Sequence, residues 1–60
     1  MVSPIDIQKA LSGMDYPASK DDIVAHAERN GGDKEVIEAL KKIDDREYEG
    51  PSGVSSAVFD

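Results

Sequence analysis

Apolar residues recur at helical spacing in four separate stretches of the chain. The clearest stripe is Val36, Ile37, Leu40 and Ile43, which repeats at intervals of three and four residues. Weaker stripes precede and follow it, and the last depends on Val54 and its neighbours. The spacing predicts helices over residues 4–12, 20–30, 34–43 and 51–58.

Capping residues mark where these helices begin and end. Ser3 precedes Pro4, and Ser19 precedes a lysine, so both serines stand where a hydroxyl accepts a hydrogen bond from a free backbone N–H. Gly13 is expected to stop the first helix in a left-handed conformation. The run Asn30-Gly31-Gly32 is expected to end the second, and Asp33 to cap the third.

The chain predicts an all-α fold, a small compact bundle of three to four short helices in a single domain over residues 1–60. No stretch alternates apolar and polar residues for long enough to predict a strand. Residues 10–16, which end in Tyr16, resemble residues 39–48, which end in Tyr48. This echo predicts two helix–link–helix repeats with pseudo-two-fold symmetry, and chance similarity is the alternative.

The charge of the chain narrows its choice of partner. Thirteen acidic residues against seven basic ones give 60 residues a formal charge of −6. Such a charge disfavours nucleic acid and anionic membranes, and it permits a basic protein partner. The beginning of the sequence lacks the features of a signal peptide, and no apolar run approaches the roughly 20 residues of a membrane span. A cytoplasmic protein without membrane association is expected.

No combination of residues predicts catalysis or a cofactor. His26 is the one histidine and has no nucleophile or orienting carboxylate beside it in the pattern. Asp45, Glu47 and Glu49 fall at positions 1, 3 and 5 of a calcium loop, but position 12, which requires a bidentate acid, is Ser56. The chain is therefore expected to be neither an enzyme nor a metal protein.

Several segments in one order resemble a known family. They are Ile7-Gln8-Lys9-Ala10-Leu11, Asp15-Tyr16-Pro17-Ala18-Ser19-Lys20-Asp21-Asp22-Ile23-Val24, Glu35-Val36-Ile37-Glu38-Ala39-Leu40 and Asp45-Arg46-Glu47-Tyr48. From Ile5 to Val58 the chain resembles the small bacterial proteins grouped as domain of unknown function 2795. The resemblance implies a compact helical domain and a bacterial origin, and it transfers no catalytic residue.

These observations favour a non-catalytic interaction module, a cytoplasmic adaptor or regulator that binds another protein. Tyr16 and Tyr48 are expected to bury their rings and leave their hydroxyls in water, and anchoring the core is the favoured role for both. Met14 and Phe59 are expected to complete an exposed apolar patch, so these four residues are the candidate partner-binding residues. The chain itself is expected to be a monomer or a weak homodimer.

The alternative is a nucleic-acid-associated regulator that uses a helix-turn-helix-like corner over residues 20–43. Ala27, Gly31, Ile37 and Leu40 match the small, turn and apolar positions of such a corner. Lys34, Lys41 and Lys42 would face the nucleic acid. Carboxylates on the same helix, Glu35 and Glu38, would oppose the phosphates, which counts against this alternative.

Overall fold

In the computed structural model, which describes residues 2–59, four helices are joined by short links. They are α1 (Pro4–Ala10), α2 (Lys20–Arg29), α3 (Lys34–Lys41) and α4 (Pro51–Phe59). The predicted small, largely all-α bundle is confirmed. Helices α1, α2 and α3 end earlier than predicted, because residues 11–13, 30 and 42 form turns, whereas α4 extends one residue further than predicted. The predicted domain limits, Met1 and Asp60, lie outside the described residues.

Serine caps begin the first two helices, as predicted. Ser3 Oγ accepts a hydrogen bond from the Asp6 backbone N–H at 3.4 Å, and Asp6 Oδ2 accepts one from the Ser3 N–H at 3.1 Å. This reciprocal pair is a capping box. Ser19 Oγ accepts from the Asp22 N–H at 3.2 Å. Asp33 occupies the capping position of α3, but its side chain makes no cap hydrogen bond.

Glycines at positive φ end α1 and α2. Gly13 has a φ of 77°, which confirms the predicted left-handed stop, and Gly31 has a φ of 73°. The Gly31 N–H donates to the Glu28 carbonyl at 3.1 Å, and the Gly32 N–H donates to the Ala27 carbonyl at 2.9 Å. These two bonds are those of a Schellman motif, and they satisfy carbonyls that the helix itself leaves without partners.

Two short strands correct the expectation that the chain has none. They are β1 (Ala18–Ser19) and β2 (Glu47–Tyr48), and they pair antiparallel with Ala18 opposite Tyr48 and Ser19 opposite Glu47. Two residues are too few to show period-two alternation, so the sequence carried no strand pattern.

The order of elements is helix, strand, helix, repeated once, and the two strands pair with each other. The antiparallel pairing agrees with the predicted pseudo-two-fold arrangement. The two tyrosines are nevertheless not equivalent, although the sequence echo aligned them. Tyr48 lies within β2, whereas Tyr16 lies outside β1 and precedes a cis peptide bond to Pro17.

The core draws on all four helices, both strands and the turns that follow α1 and α3. All of its members are apolar or aromatic, and no polar or charged residue is buried among residues 2–59. The buried side chains are Ile7, Ala10, Leu11, Ala18, Ile23, Ala27, Val36, Ile37, Leu40, Ile43, Tyr48 and Val54. Each large side chain that becomes fully buried contributes roughly 1.5–3 kcal/mol.

Helices α2 and α3 pack closely across a tight corner, and α1 packs against the other three helices. At this corner a Cβ on Gly32 would lie 3.1 Å from the Ala27 carbonyl oxygen, so glycine permits the close approach. Within residues 2–59, the helices are too short or too polar to cross a membrane.

Candidate functional site

The strand pair brings two acidic segments of the chain next to each other. Strand β1 leads directly into the first turn of α2, and β2 lies in the link before α4. Six exposed carboxylates from these segments define what we call the acidic end: Asp21, Asp22, Asp44, Asp45, Glu47 and Glu49. Because the two segments are far apart in the chain, only the antiparallel pairing places them together.

A shallow cleft of about 470 Å³ opens beside the acidic end, lined by residues 46–50 together with Ser52 and Gly53. Arg46 is the basic residue that lines it, and its guanidinium lies 4.5 Å from the centre of the Tyr48 ring. A cation over an aromatic face is stabilised by the ring quadrupole. This contact holds the Arg46 cation at the Tyr48 ring. In the sequence, Arg46 lies between Asp45 and Glu47.

The carboxylates of the acidic end do not form a metal centre. Among residues 2–59, no three histidine, aspartate or glutamate side chains lie close enough together to hold a metal ion. The Asp45–Gly50 stretch contains β2 and opens into α4 at Pro51, so it does not have the course of a calcium loop.

Tyr48 is a core residue rather than part of a binding surface. Its side chain is only 1% exposed, and its hydroxyl donates a hydrogen bond of 2.7 Å to the Asp44 carbonyl. The core-anchoring role favoured for Tyr48 is therefore confirmed, and the expectation that its hydroxyl lies in water is wrong. Its contact with a partner stays a prediction, which this burial does not support. The link between α3 and α4 turns Tyr48 inward because its strand partner, Ala18, is itself buried.

Tyr16 lies at the surface with its ring half-buried, as a candidate partner-binding residue requires. Its hydroxyl is buried, however, and makes no hydrogen bond, so the prediction of a hydroxyl in water is wrong here too. Burial raises the pKa of this phenol above its ordinary value, because the charged phenolate is less well solvated there.

Tyr16 borders a groove between α1 and α4. The groove measures about 380 Å³ and is lined by Gln8, Leu11, Tyr16, Pro51, Ser52 and Ser55, none of which is charged. Two large apolar side chains are exposed among residues 2–59, Ile5 on α1 and Phe59 at the end of α4. We call this surface, formed by residues 5, 8, 11, 16, 51, 52, 55 and 59, the α1/α4 face.

The predicted apolar patch has a different composition from the one expected. Phe59 is 44% exposed, but Met14 is half-buried and borders a separate pocket with His26 and Arg29. Sequence reasoning missed Ile5, which is 61% exposed. Its position outside the apolar stripe of the first helix was the available indication that it does not join the core.

His26 and Asn30 connect α2 to the end of α1. The His26 Nε2 lies 2.8 Å from the Ser12 carbonyl, which can only accept, so this nitrogen carries the proton. Asn30 Nδ2 donates to the carbonyls of Ala10 at 2.9 Å and Ser12 at 3.0 Å. These bonds satisfy carbonyls at the C-terminal end of α1, so both residues have a structural role. His26 and Asn30 are four residues apart, so they lie on the same face of α2. This spacing was the indication in the sequence that both could contact the same neighbouring segment.

The three lysines of the nucleic-acid alternative are all exposed, Lys34 and Lys41 on α3 and Lys42 at its C-terminal cap. Glu38 stands one turn after Lys34 and one turn before Lys42, so the outer surface of α3 carries both signs of charge. The corner of residues 20–43 has the packing that its small and apolar residues predicted. The outer surface of α3, which would face the nucleic acid, lacks the continuous basic face that nucleic-acid binding favours.

A comparison with protein families gives one match that covers nearly the whole chain. The family model described as "Protein of unknown function (DUF2795)" matches residues 2–55. The chain belongs to the DUF2795 family. The resemblance seen in the sequence is thereby confirmed, and it includes the strand pair and the acidic end. No curated protein and no solved structure matches the chain.

Proposed function

We propose that this DUF2795 protein is a non-catalytic interaction module, a cytoplasmic adaptor or regulator that binds a basic protein partner. The observation that supports the proposal is the acidic end, where strand pairing joins two distant segments that carry six exposed carboxylates. Two of these, Glu47 and Glu49, line a cleft. A formal charge of −6 on 60 residues attracts a cationic partner over several ångströms before contact.

Arg46 bears on this proposal because its contact with Tyr48 fixes the position of the cation that lies between Asp45 and Glu47 in the chain. The carboxylates on either side of it are exposed, and a lysine or arginine of the partner can reach them. Each exposed charge pair contributes little by itself, about 0.2–1 kcal/mol, so several pairs must act together. The partner is therefore expected to carry a cluster of basic residues.

The test is affinity capture from a lysate of the organism that makes the protein, with and without nuclease. We compare the wild type with Asp45→Lys/Glu47→Lys, which reverses two charges at the acidic end. The matched control is Glu28→Lys/Glu38→Lys, which changes the net charge equally at exposed positions of α2 and α3. Circular dichroism establishes that all three proteins are folded.

The proposal predicts capture of a strongly basic protein by the wild type and the control, and its loss from the acidic-end variant. Capture should be insensitive to nuclease and should weaken as salt rises, because salt screens exposed charges. A complex that disappears with nuclease would instead favour the nucleic-acid alternative and its lysines. Equal loss from both variants would show that net charge, rather than the acidic end, is responsible.

A further inference from the structure

The α1/α4 face is uncharged in a chain in which 33% of residues are charged. Helix α4, residues 51–59, contains no acidic or basic residue at all. The residues of α1 that border it, Ile5, Gln8 and Leu11, are also uncharged. A neutral surface with exposed apolar side chains on a small charged domain is a candidate for contact with another molecule.

Helices α1 and α4 run in opposite directions. Gln8 and Leu11, late in α1, border a groove with Ser52 and Ser55, early in α4. Val2, just before α1, borders another cavity with residues 57 and 58, late in α4. The N-terminal half of α1, which carries Ile5, therefore lies beside the C-terminal half of α4, where Phe59 is exposed.

The face combines a projecting ring and a recess at opposite ends of one helix. Phe59 projects at the C-terminal end of α4, and the groove of about 380 Å³ lies at its N-terminal end. A helix of nine residues is about 13 Å long, so the ring and the recess are separated by roughly that distance. A second copy with α4 antiparallel would bring each Phe59 to the other copy's groove. Such a contact is self-complementary under a two-fold axis.

We propose that the α1/α4 face binds a second copy of this chain, with the two α4 helices antiparallel and each Phe59 ring in the partner's groove. The absence of charge on this face favours a second copy of the chain over a basic segment as the molecule that binds there. Two chains of −6 repel each other wherever their carboxylates meet, and this face is the neutral surface on which they can approach. A basic segment would find no carboxylate within the face, whereas a neutral aromatic ring matches the uncharged lining of the groove.

Sedimentation equilibrium tests the proposal on the full chain. Samples from roughly 10 µM to roughly 1 mM are compared in about 20 mM and about 500 mM NaCl. The expected mass rises with concentration from 6.5 kDa towards twice that value. Association should be tighter at high salt, because screening weakens the repulsion between two acidic chains. Association through complementary charges would become weaker instead.

Two variants locate the contact. Phe59→Asp places a charge on the projecting ring position, and Gln8→Glu places one at the rim of the groove. Each should weaken association by at least about tenfold, since a charge must lose water to enter a neutral interface. The matched control is Ala25→Asp, which adds the same charge at an exposed position of α2 and should leave association unchanged. Gln8→Glu keeps the test decisive if Phe59→Asp frays α4.

Isotope-filtered NMR on a mixture of labelled and unlabelled protein gives the geometry directly. The proposal predicts contacts between the Phe59 ring of one copy and Tyr16 or Pro51 of the other. A wild type that stays at 6.5 kDa under all conditions overturns it, and so does a dimer that both face variants leave intact. A monomer that binds a different protein through Phe59 also overturns it. None of these results affects the acidic-end proposal, which depends on other residues.

Discussion

The two tyrosines offer a paired test of the structure, because the same change removes a hydroxyl from two opposite environments. The Tyr48 hydroxyl donates to the Asp44 carbonyl at 2.7 Å, whereas the Tyr16 hydroxyl is buried without a partner. An intramolecular hydrogen bond stabilises a protein by about 0.5–1.5 kcal/mol, and an unsatisfied buried polar group costs about 1–3 kcal/mol. The substitution to phenylalanine should therefore have opposite signs at the two positions.

We expect Tyr48→Phe to lower the free energy of unfolding by about 1 kcal/mol and Tyr16→Phe to raise it by about 1 kcal/mol. The lower end of the range applies to Tyr16 because its ring is half-exposed. In a domain whose core supplies roughly 3–5 kcal/mol these are large effects. A change of 1 kcal/mol shifts the Tm of so small a domain by about 4–8 °C.

Equilibrium urea unfolding, followed by circular dichroism, measures both variants against the wild type. An equal loss of stability at both positions would refute the reasoning, because it would mean that the Tyr16 hydroxyl has a partner. An unchanged m-value is required for the comparison, since it shows that the denatured state is the same in each variant.

The pH dependence of stability tests the environment of Tyr16 independently. Burial raises the pKa of Tyr16 above its ordinary value of 10.0, so the unfolded chain loses this proton before the folded protein does. Stability associated with this group is present below pH 10.0 and is lost as the pH rises from there through the folded pKa. Tyr16→Phe should show a smaller loss over that alkaline range, and a loss as steep as in the wild type would contradict the assignment.

Three further predictions concern the ends of the helices. Asn30→Asp should lower the free energy of unfolding by about 1–2 kcal/mol, because a carboxylate cannot donate to the two carbonyls at the end of α1. If urea unfolding were unchanged in this variant, these hydrogen bonds would contribute nothing to stability. Hydrogen bonds from Ser3 lower the pKa of Asp6, so its contribution to stability is present above pH 3.8 and is lost as the pH falls through the folded pKa. Asp6→Asn should flatten thermal stability over that acid range, and a profile parallel to the wild type would be inconsistent with the capping box. Gly32→Ala should lower the Tm because its Cβ would lie 3.1 Å from a backbone oxygen, while Gly50→Ala, which meets nothing within 4 Å, serves as the control. Equal Tm values for the two alanine variants would mean that the corner relaxes without cost.

The α1/α4 face and the acidic end divide the surface between two kinds of contact. The first is neutral and apolar, and its proposed partner is another copy of the chain. The second is negative, and its proposed partner is basic. A dimer formed through the first would carry two acidic ends, and binding to a partner with repeated basic clusters would then gain from multivalency. Partner capture that weakens in step with loss of the dimer in both Phe59→Asp and Gln8→Glu, with the acidic end intact, would be the corresponding observation.

Local chemistry explains why the helices could be predicted. The Ser3 and Ser19 caps, the Gly13 stop and the stripe of α3 each involve residues within a few positions of one another. Such interactions join residues that are close in sequence, because each helical hydrogen bond spans four residues. They can therefore be predicted from a short segment of the chain. The family resemblance, confirmed over residues 2–55, also depended on the order of local segments.

The candidate sites depended on contacts between distant residues, and here the sequence misled in specific ways. Tyr16 and Tyr48 occupy similar local patterns, yet one borders a surface groove and the other fills the core. The difference comes from the strand partner of Tyr48, which lies thirty positions earlier at Ala18. A local pattern contains no information about that pairing.

The sequence by itself determined the four helices, the glycine stops, the negative charge and most of the apolar core. Only the tertiary structure decided that two segments of two residues pair as strands and so bring the start of α2 beside the link before α4. It also decided which apolar residues stay outside, Ile5 and Phe59 among them. The physical reason is that helical hydrogen bonds and caps are local, whereas strand pairing and burial depend on which distant surfaces meet.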